Sequence, residues 1–183
     1  MPLAFELAKK GHHVKGSSRS IANFDKFIKK DVSPFIIDIR KKENDTSDFL
    51  LSDVLVIVIT SKSIEDYKYR ITQIENSKVR KIIFVSSTSV YYNSNKIVTE
   101  NSKINNSALA QIEHLFRKNT NLQTTIIRFG GLFGYDRQPV NFIKADKKIK
   151  NPEGYINLIH RDDCIQIIEE IIDKNCWNLT LNA

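Results

Sequence analysis

Glycines, cysteines and histidines most often mark phosphate, redox and metal chemistry, and in this sequence their spacing decides against all three. Gly130, Gly131 and Gly134 lie close enough together to suggest a phosphate loop. They follow the fifth apolar run of the chain, however, and no Lys-Ser/Thr pair closes the motif, so close packing or a loop turn is the better reading. No GxGxxG occurs among the six glycines. Cys164 and Cys176 form no CxxC pair and have no histidine at zinc-ligand spacing. Neither a zinc site nor a disulfide framework is indicated, and reduced thiols in the cytoplasm are expected. His12 and His13 have no third ligand in sight and read as a strand edge, so no metal is expected.

The elements that must position any remaining chemistry alternate along the chain. Short β-branched runs at Val14-Lys15, Phe35-Ile39, Val54-Ile59, Lys81-Val85, Thr124-Arg128 and Asn178-Leu181 predict strands. Their continuous apolar character, as in VLVIVI and KIIFV, suits strands buried on both faces. Helical spacing appears at Leu3, Ala4 and Leu7, from Ile64 to Ile74, at Ala108, Leu109, Ile112, Leu115 and Phe116, and at Ile165, Ile168, Ile171 and Ile172 behind Asp162 as N-cap. This alternation predicts an α/β fold, a Rossmann-like doubly wound parallel sheet, with residues 1–183 as one domain. In such a sheet a glycine-rich turn joins the first strand to the first helix. Here only Met1 and Pro2 precede that helix, so the first strand and its turn are expected to be lacking. Because that strand lies mid-sheet, its loss would leave a gap with unpaired amides on both sides. A chain that begins late, or a decayed member of its family, is the expectation.

Composition limits the partners. The 183 residues are 41% hydrophobic and 27% charged, with no apolar run of transmembrane length and no signal-peptide pattern. Lys and Arg number 28 against 21 Asp and Glu, a net charge of +7. The excess is mostly lysine in scattered pairs such as Lys9-Lys10, Lys29-Lys30, Lys41-Lys42 and Lys147-Lys148, without the arginine forks and interleaved aromatics of specific recognition. Twenty lysines, 26 isoleucines and 16 asparagines make up a third of the chain, the bias that AT-rich coding produces. Neither a nucleic acid nor a membrane is expected as partner.

Four segments in order carry a family resemblance: LAFELAKKGHHVKGSSRS, KIIFVSSTSVYYNSNKIVTENS, IIRFGGLFGYDRQP and YINLIHRDDCIQII. They resemble the NAD-dependent epimerase/dehydratase family, the extended and atypical branch of the short-chain dehydrogenase/reductases. There a strand runs into Ser-Ser/Thr, Val-Tyr-Gly and Thr-Glu, followed by R-x-x-x-x-Y/F-G-x-x-R and N-x-I-H-x-x-D. The resemblance covers nearly the whole chain and is strongest to small members without a large C-terminal substrate domain. It implies hydride transfer between NAD(P) and the sugar of a nucleotide-sugar, an oxidoreductase-type reaction in which a tyrosine acts as acid/base, a lysine four residues on lowers its pKa, and a Ser/Thr orients the reacting oxygen.

By that resemblance Ser87 holds the Ser/Thr position beside Ser86. The Tyr-x-x-x-Lys pair belongs on the helix that starts near Asn105, but alignment on Glu113 puts Asn105 and Leu109 at its two positions. Neither can move a proton. Tyr91 and Tyr92 are then the nearest phenols to Ser87, with Tyr91 at the structural Val-Tyr position. Ser17, Ser18 and Arg19 stand where the family reads the adenosine ribose, and Arg19 favours NADP over NAD. Asp38 resembles the position near the adenine, and Thr60 and Ser86 end strands that face the cofactor. Arg137 resembles the arginine that grips a sugar-nucleotide phosphate, and His160 belongs to the I-H-x-x-D segment. A degenerate epimerase/dehydratase, a non-catalytic NAD(P)-sensing or scaffold protein, and a fragment without independent function all remain open. Family members that pair through the 105–119 helix make a homodimer an expectation.

Overall fold

The computed structural model describes residues 1–93, 96–142 and 154–183, so the Lys147-Lys148 pair lies outside the described residues. The chain opens in helix α1 (Pro2–Lys9), with Pro2 in the first turn, where no backbone N–H is needed. It ends before Gly11, whose φ of +90° makes the left-handed turn toward β1 (Val14–Ser18). β1 pairs in parallel with β2 (Val32–Ile36) across α2 (Phe24–Ile28). A second sheet holds β3 (Val54–Ile57), β4 (Lys81–Ser87), β5 (Gln123–Phe129) and the late strand Thr180–Asn182, all parallel and in that order. Helices α3 (Ile64–Glu75), α4 (Ala108–Lys118) and α5 (Arg161–Asp173) complete the crossovers. A further parallel pair, β6 (Gly131–Phe133) and β7 (Leu158–His160), stands apart, which makes the late strand β8.

Alternation along β4 and β5 builds a core on each face of the sheet. Ile82, Phe84 and Ile126 point to one side, where Tyr67 of α3 and Phe116 of α4 meet them. Phe84 stacks on Phe116 with centroids 4.8 Å apart, and Tyr67 stands edge-on to both. Ile83, Ile127 and Phe129 point to the other side, against Cys164, Ile168 and Ile171 of α5.

The architecture is α/β with parallel sheets, a Rossmann-like fold, and the expected gap is present. Among the described residues β1 has β2 as its only ladder partner and β3 has only β4, so no described ladder joins the two-stranded and four-stranded sheets. Four local expectations shift. β2 runs over Val32–Ile36 instead of 35–39, because an edge strand tolerates Pro34. β3 stops at Ile57, leaving Val58 and Ile59 exposed where its partner register ends. His160, not Asp162, caps α5, and α4 starts at Ala108, behind the Ser107 cap. Helix α4 therefore begins after Asn105.

Candidate functional site

The C-terminal end of β4 carries two serines with different tasks. Ser87 ends the strand, and its Oγ accepts a hydrogen bond from the Ser89 amide at 3.2 Å, opening the 3-10 turn Thr88–Val90. Ser86 points into the protein, where its hydroxyl donates to Glu113 Oε1 at 2.6 Å. Glu113 is fully buried on the apolar face of α4, and Arg128, in register with Ser86 on β5, is 1% exposed. Arg128 donates from Nε to Oε1 at 3.0 Å and from Nη2 to Oε2 at 2.6 Å, a two-pronged pair. Arg117 Nη2 adds a bond to Oε2 at 3.2 Å. Burial pulls the Arg128 pKa down, but the hydrogen bonds it donates to Glu113 and Tyr91 outweigh it and hold the guanidinium above its ordinary value. Neither charge could stay buried without the other.

This network decides what Tyr91 can do. Its hydroxyl accepts from Arg128 Nη1 at 2.7 Å and donates to Asn182 Oδ1 at 2.7 Å, and the residue is 7% exposed. A phenol held between a guanidinium and an amide, out of contact with solvent, is a structural pin. Tyr92, 54% exposed, faces outward. Asn105 is a second pin: its Nδ2 donates to the Ser89 and Tyr91 carbonyls at 3.0 and 3.2 Å, and its own amide donates to Val90 O at 2.7 Å. It clamps the turn after β4 from outside the helix. Leu109 is packed among the cores.

At the end of β1, Ser17 and Arg19 are exposed and Ser18 is half-buried, its Oγ accepting from the Ser20 amide at 3.4 Å. Asp38 is buried and committed to Arg40, which reaches its two oxygens from Nε at 3.0 Å and Nη2 at 2.7 Å. Those side-chain bonds, the Arg40 backbone bond and the nearby Arg40 and Arg19 charges hold the Asp38 carboxyl well below the usual range. Arg70 fixes the same turn by donating to the Asp38 carbonyl at 2.9 Å. Thr60 is exposed beyond the end of β3. For a dinucleotide these residues fit in part. Hydroxyls and a cation stand at the adenosine end, whereas no glycine turn is present to supply amides to a pyrophosphate.

His160 ends β7 of the small β6–β7 sheet, and Arg137 lies in the turn that follows β6. Gly134 and Arg137 exchange backbone hydrogen bonds at 3.0 Å, closing a tight turn. His160 Nδ1 accepts from the Asp162 amide at 3.3 Å, capping α5, while its ring stands edge-on to Phe133 at 5.1 Å. Gly134 has φ +117°, and a Cβ there would lie 2.4 Å from His160 Nε2, so the ring seals the turn. Tyr135 bonds Asp162 at 2.5 Å and lies under the Arg161 guanidinium. Among the described residues no group of three His, Cys, Asp or Glu could hold a metal, and no helix is long and apolar enough to cross a membrane.

The structure thus joins Ser86, Ser87 and Tyr91 at one strand end, and sets Ser17, Ser18 and Arg19 at another. Sequence reasoning missed the Glu113–Arg128 pair, although two signals were present. Glu113 interrupts the apolar stripe of Leu109, Ile112 and Phe116, and Arg128 follows two isoleucines inside a buried strand.

No family model matches the chain. Protein YeeZ of Escherichia coli K12 is 28% identical over 185 aligned positions, spanning 92% of this chain and 67% of YeeZ. Among solved structures, a candidate NAD-dependent epimerase/dehydratase from Methylobacillus flagellatus superposes with a TM-score of 0.75 at 23% identity, covering 98% of this chain and 70% of that one. UDP-glucuronic acid 4-epimerase from Bacillus cereus, in complex with UDP-glucuronic acid and NAD, superposes with a TM-score of 0.77 at 18% identity, over 99% of this chain and 72% of the epimerase. The chain has the Rossmann-like fold of the NAD-dependent epimerase/dehydratase proteins.

Proposed function

We propose that this chain is a nucleotide-sugar epimerase/dehydratase type of protein that has kept the adenosine end of an NAD(P) site and lost hydride chemistry, so that it acts as a nucleotide-sensing or scaffold protein. The observation that carries this reading is Asn105. Where the resemblance calls for a catalytic tyrosine, an amide clamps the backbone of residues 89 and 91 instead. An amide does not exchange protons near neutral pH, and Leu109 offers no cation to lower a neighbouring pKa. Tyr91 cannot substitute, because both functions of its hydroxyl are bound by Arg128 and Asn182.

A bound nicotinamide would supply hydride exchange; this chain's residues supply position only. Ser87 Oγ already accepts from the Ser89 amide and remains able to donate to a sugar hydroxyl. Arg19 offers a guanidinium to a 2′-phosphate, with Ser17 and Ser18 beside it. This makes NADP the favoured cofactor, and the resemblance of YDRQP makes Arg137 a contact for the phosphates of a nucleotide sugar. His160 is assigned to orienting the loop that carries Arg137. The NAD and UDP-sugar bound to the Bacillus cereus epimerase support the ligand classes. The test is to incubate the chain with NAD or NADP and UDP-glucose or UDP-glucuronic acid. Absorbance at 340 nm would report reduced cofactor, and chromatography of the sugar would report C4 inversion. Neither signal is expected; turnover abolished by Ser87→Ala would overturn the reading.

A further inference from the structure

The turn that follows β2 is held by a buried cation whose hydrogen bonds, among the described residues, all end on neutral oxygens. Arg70 of α3 is 8% exposed. Its Nη2 donates to the carbonyls of Asp38, at 2.9 Å, and of Lys41, and its Nε donates to the Ile39 carbonyl at 3.4 Å. Gln73, one turn along α3, accepts from Nη1 at 2.6 Å and so aims the fork. The Tyr69 ring lies 5.4 Å from the guanidinium, and its hydroxyl donates to the Lys42 carbonyl at 3.1 Å. Burying a charge without a counter-charge is costly, whereas a turn that only needs closing can be closed by its own amides. Here the Lys41 amide already does so, donating to the Asp38 carbonyl at 3.0 Å. What Arg70 adds is a fixed course for the backbone of residues 38–41.

That course sets one carboxylate. The Ile37 amide donates to the Ser18 carbonyl at 2.9 Å, so the turn begins beside the residues that end β1. Asp38 comes next, its side chain 7% exposed. An ionised carboxylate has about four acceptor sites. Arg40 fills three of them, with its amide at 3.1 Å and Nε at 3.0 Å on Oδ1, and Nη2 at 2.7 Å on Oδ2. The site left on Oδ2 can accept an N–H and can donate nothing, so it suits an amino group and opposes a carbonyl oxygen.

We propose that Arg70 is the positioning residue of the adenosine end: by holding the carbonyls of residues 38, 39 and 41, it keeps the open acceptor of Asp38 in place for the 6-amino group of a bound adenine. The inference rests on the nucleotide-binding reading above. Lysine cannot replace Arg70, because one ammonium on a flexible stem does not span three carbonyls as a planar fork does.

The test is a calorimetric titration of the chain, of Arg70→Lys and of Gln73→Ala with 5′-AMP and with 5′-IMP, whose base carries a carbonyl in place of the 6-amino group. Circular dichroism at the same temperature checks that each variant is folded, and Gln73→Ala carries the test if Arg70→Lys is not. The parent chain is expected to bind AMP roughly 10-fold more tightly than IMP, the worth of one hydrogen bond. Arg70→Lys should bind the two about equally, and Gln73→Ala, which only frees one arm of the fork, should keep a preference of roughly 3-fold. A loss of folded protein lowers both affinities alike and leaves their ratio unchanged, so the ratio separates positioning from stability. A parent chain that binds neither nucleotide would refute the nucleotide-binding reading, and the inference with it. A parent chain that binds both equally, or a parent preference that the folded variants keep in full, would overturn the inference alone.

Discussion

Glu113→Gln removes one charge from the buried network and almost nothing else. The amide has the volume of the carboxylate, so the packing around this buried side chain is kept, but Arg128, 1% exposed, loses its counter-charge. One amide oxygen must now serve Ser86, Arg128 and Arg117, where two carboxylate oxygens served before. Breaking a buried pair by removing one partner costs about 3–5 kcal/mol, against roughly 5–15 kcal/mol for a whole domain. For a chain of this size that is a fall of roughly 6–20 °C in Tm. Urea unfolding followed by circular dichroism reads the loss directly. Arg117→Ala is the control, because Arg117 is 46% exposed and its bond to the same carboxylate should contribute less than about 1 kcal/mol. The double variant Glu113→Leu with Arg128→Met should lose less than either single change, since an apolar pair leaves no stranded charge. A Glu113→Gln loss below about 1 kcal/mol, or a double variant no better than the sum of the singles, would refute the reasoning.

Asn105→Ala frees the Ser89 and Tyr91 carbonyls and should cost about 1–2 kcal/mol in the same urea assay. Gly134→Ala forces a side chain onto φ +117° and into the His160 ring, so a loss above about 2 kcal/mol is expected. Burial, with the Asp163 charge adding, pushes the Cys164 thiol up to about 11. An unfolded thiol titrates near 9.0, so between these values the unfolded state binds fewer protons and stability falls as pH rises, by roughly 3 kcal/mol in all. Cys164→Ala should flatten that slope up to about pH 10, where Tyr67, pushed up to about 12 by burial, begins to contribute. In native protein Cys176 should react with iodoacetamide before Cys164, which is buried and harder to ionise.

What could be read from the sequence follows from how local each signal is. The strands β3 and β4 are largely apolar runs, β5 is a β-branched one, and α4 carries its stripe at helical spacing, so composition in a short window reveals them. The gap between β1 and β3 was also legible, because strand order in a doubly wound sheet places the first strand between them. β2 was misplaced by three residues, since Pro34 reads as a break until the strand is known to lie at an edge. β6 and β7 were not read at all. They are three residues each, and only their pairing across a long connection makes them strands. The roles of Tyr91 and Asn105 depended on contacts with Arg128, Asn182 and the residue 89 and 91 carbonyls, which no spacing rule could supply. A polar residue inside an apolar stripe, as at Glu113 and Arg128, was the one available clue to that network.

The measurement that bears most directly on the central claim is a calorimetric titration of the chain and of its Arg19→Ala variant with NADP and NAD. Saturable binding that is tighter for NADP, and that loses this preference in Arg19→Ala, is the predicted result. A folded chain that binds neither nucleotide, or a variant that binds NADP as tightly as the parent, would contradict it.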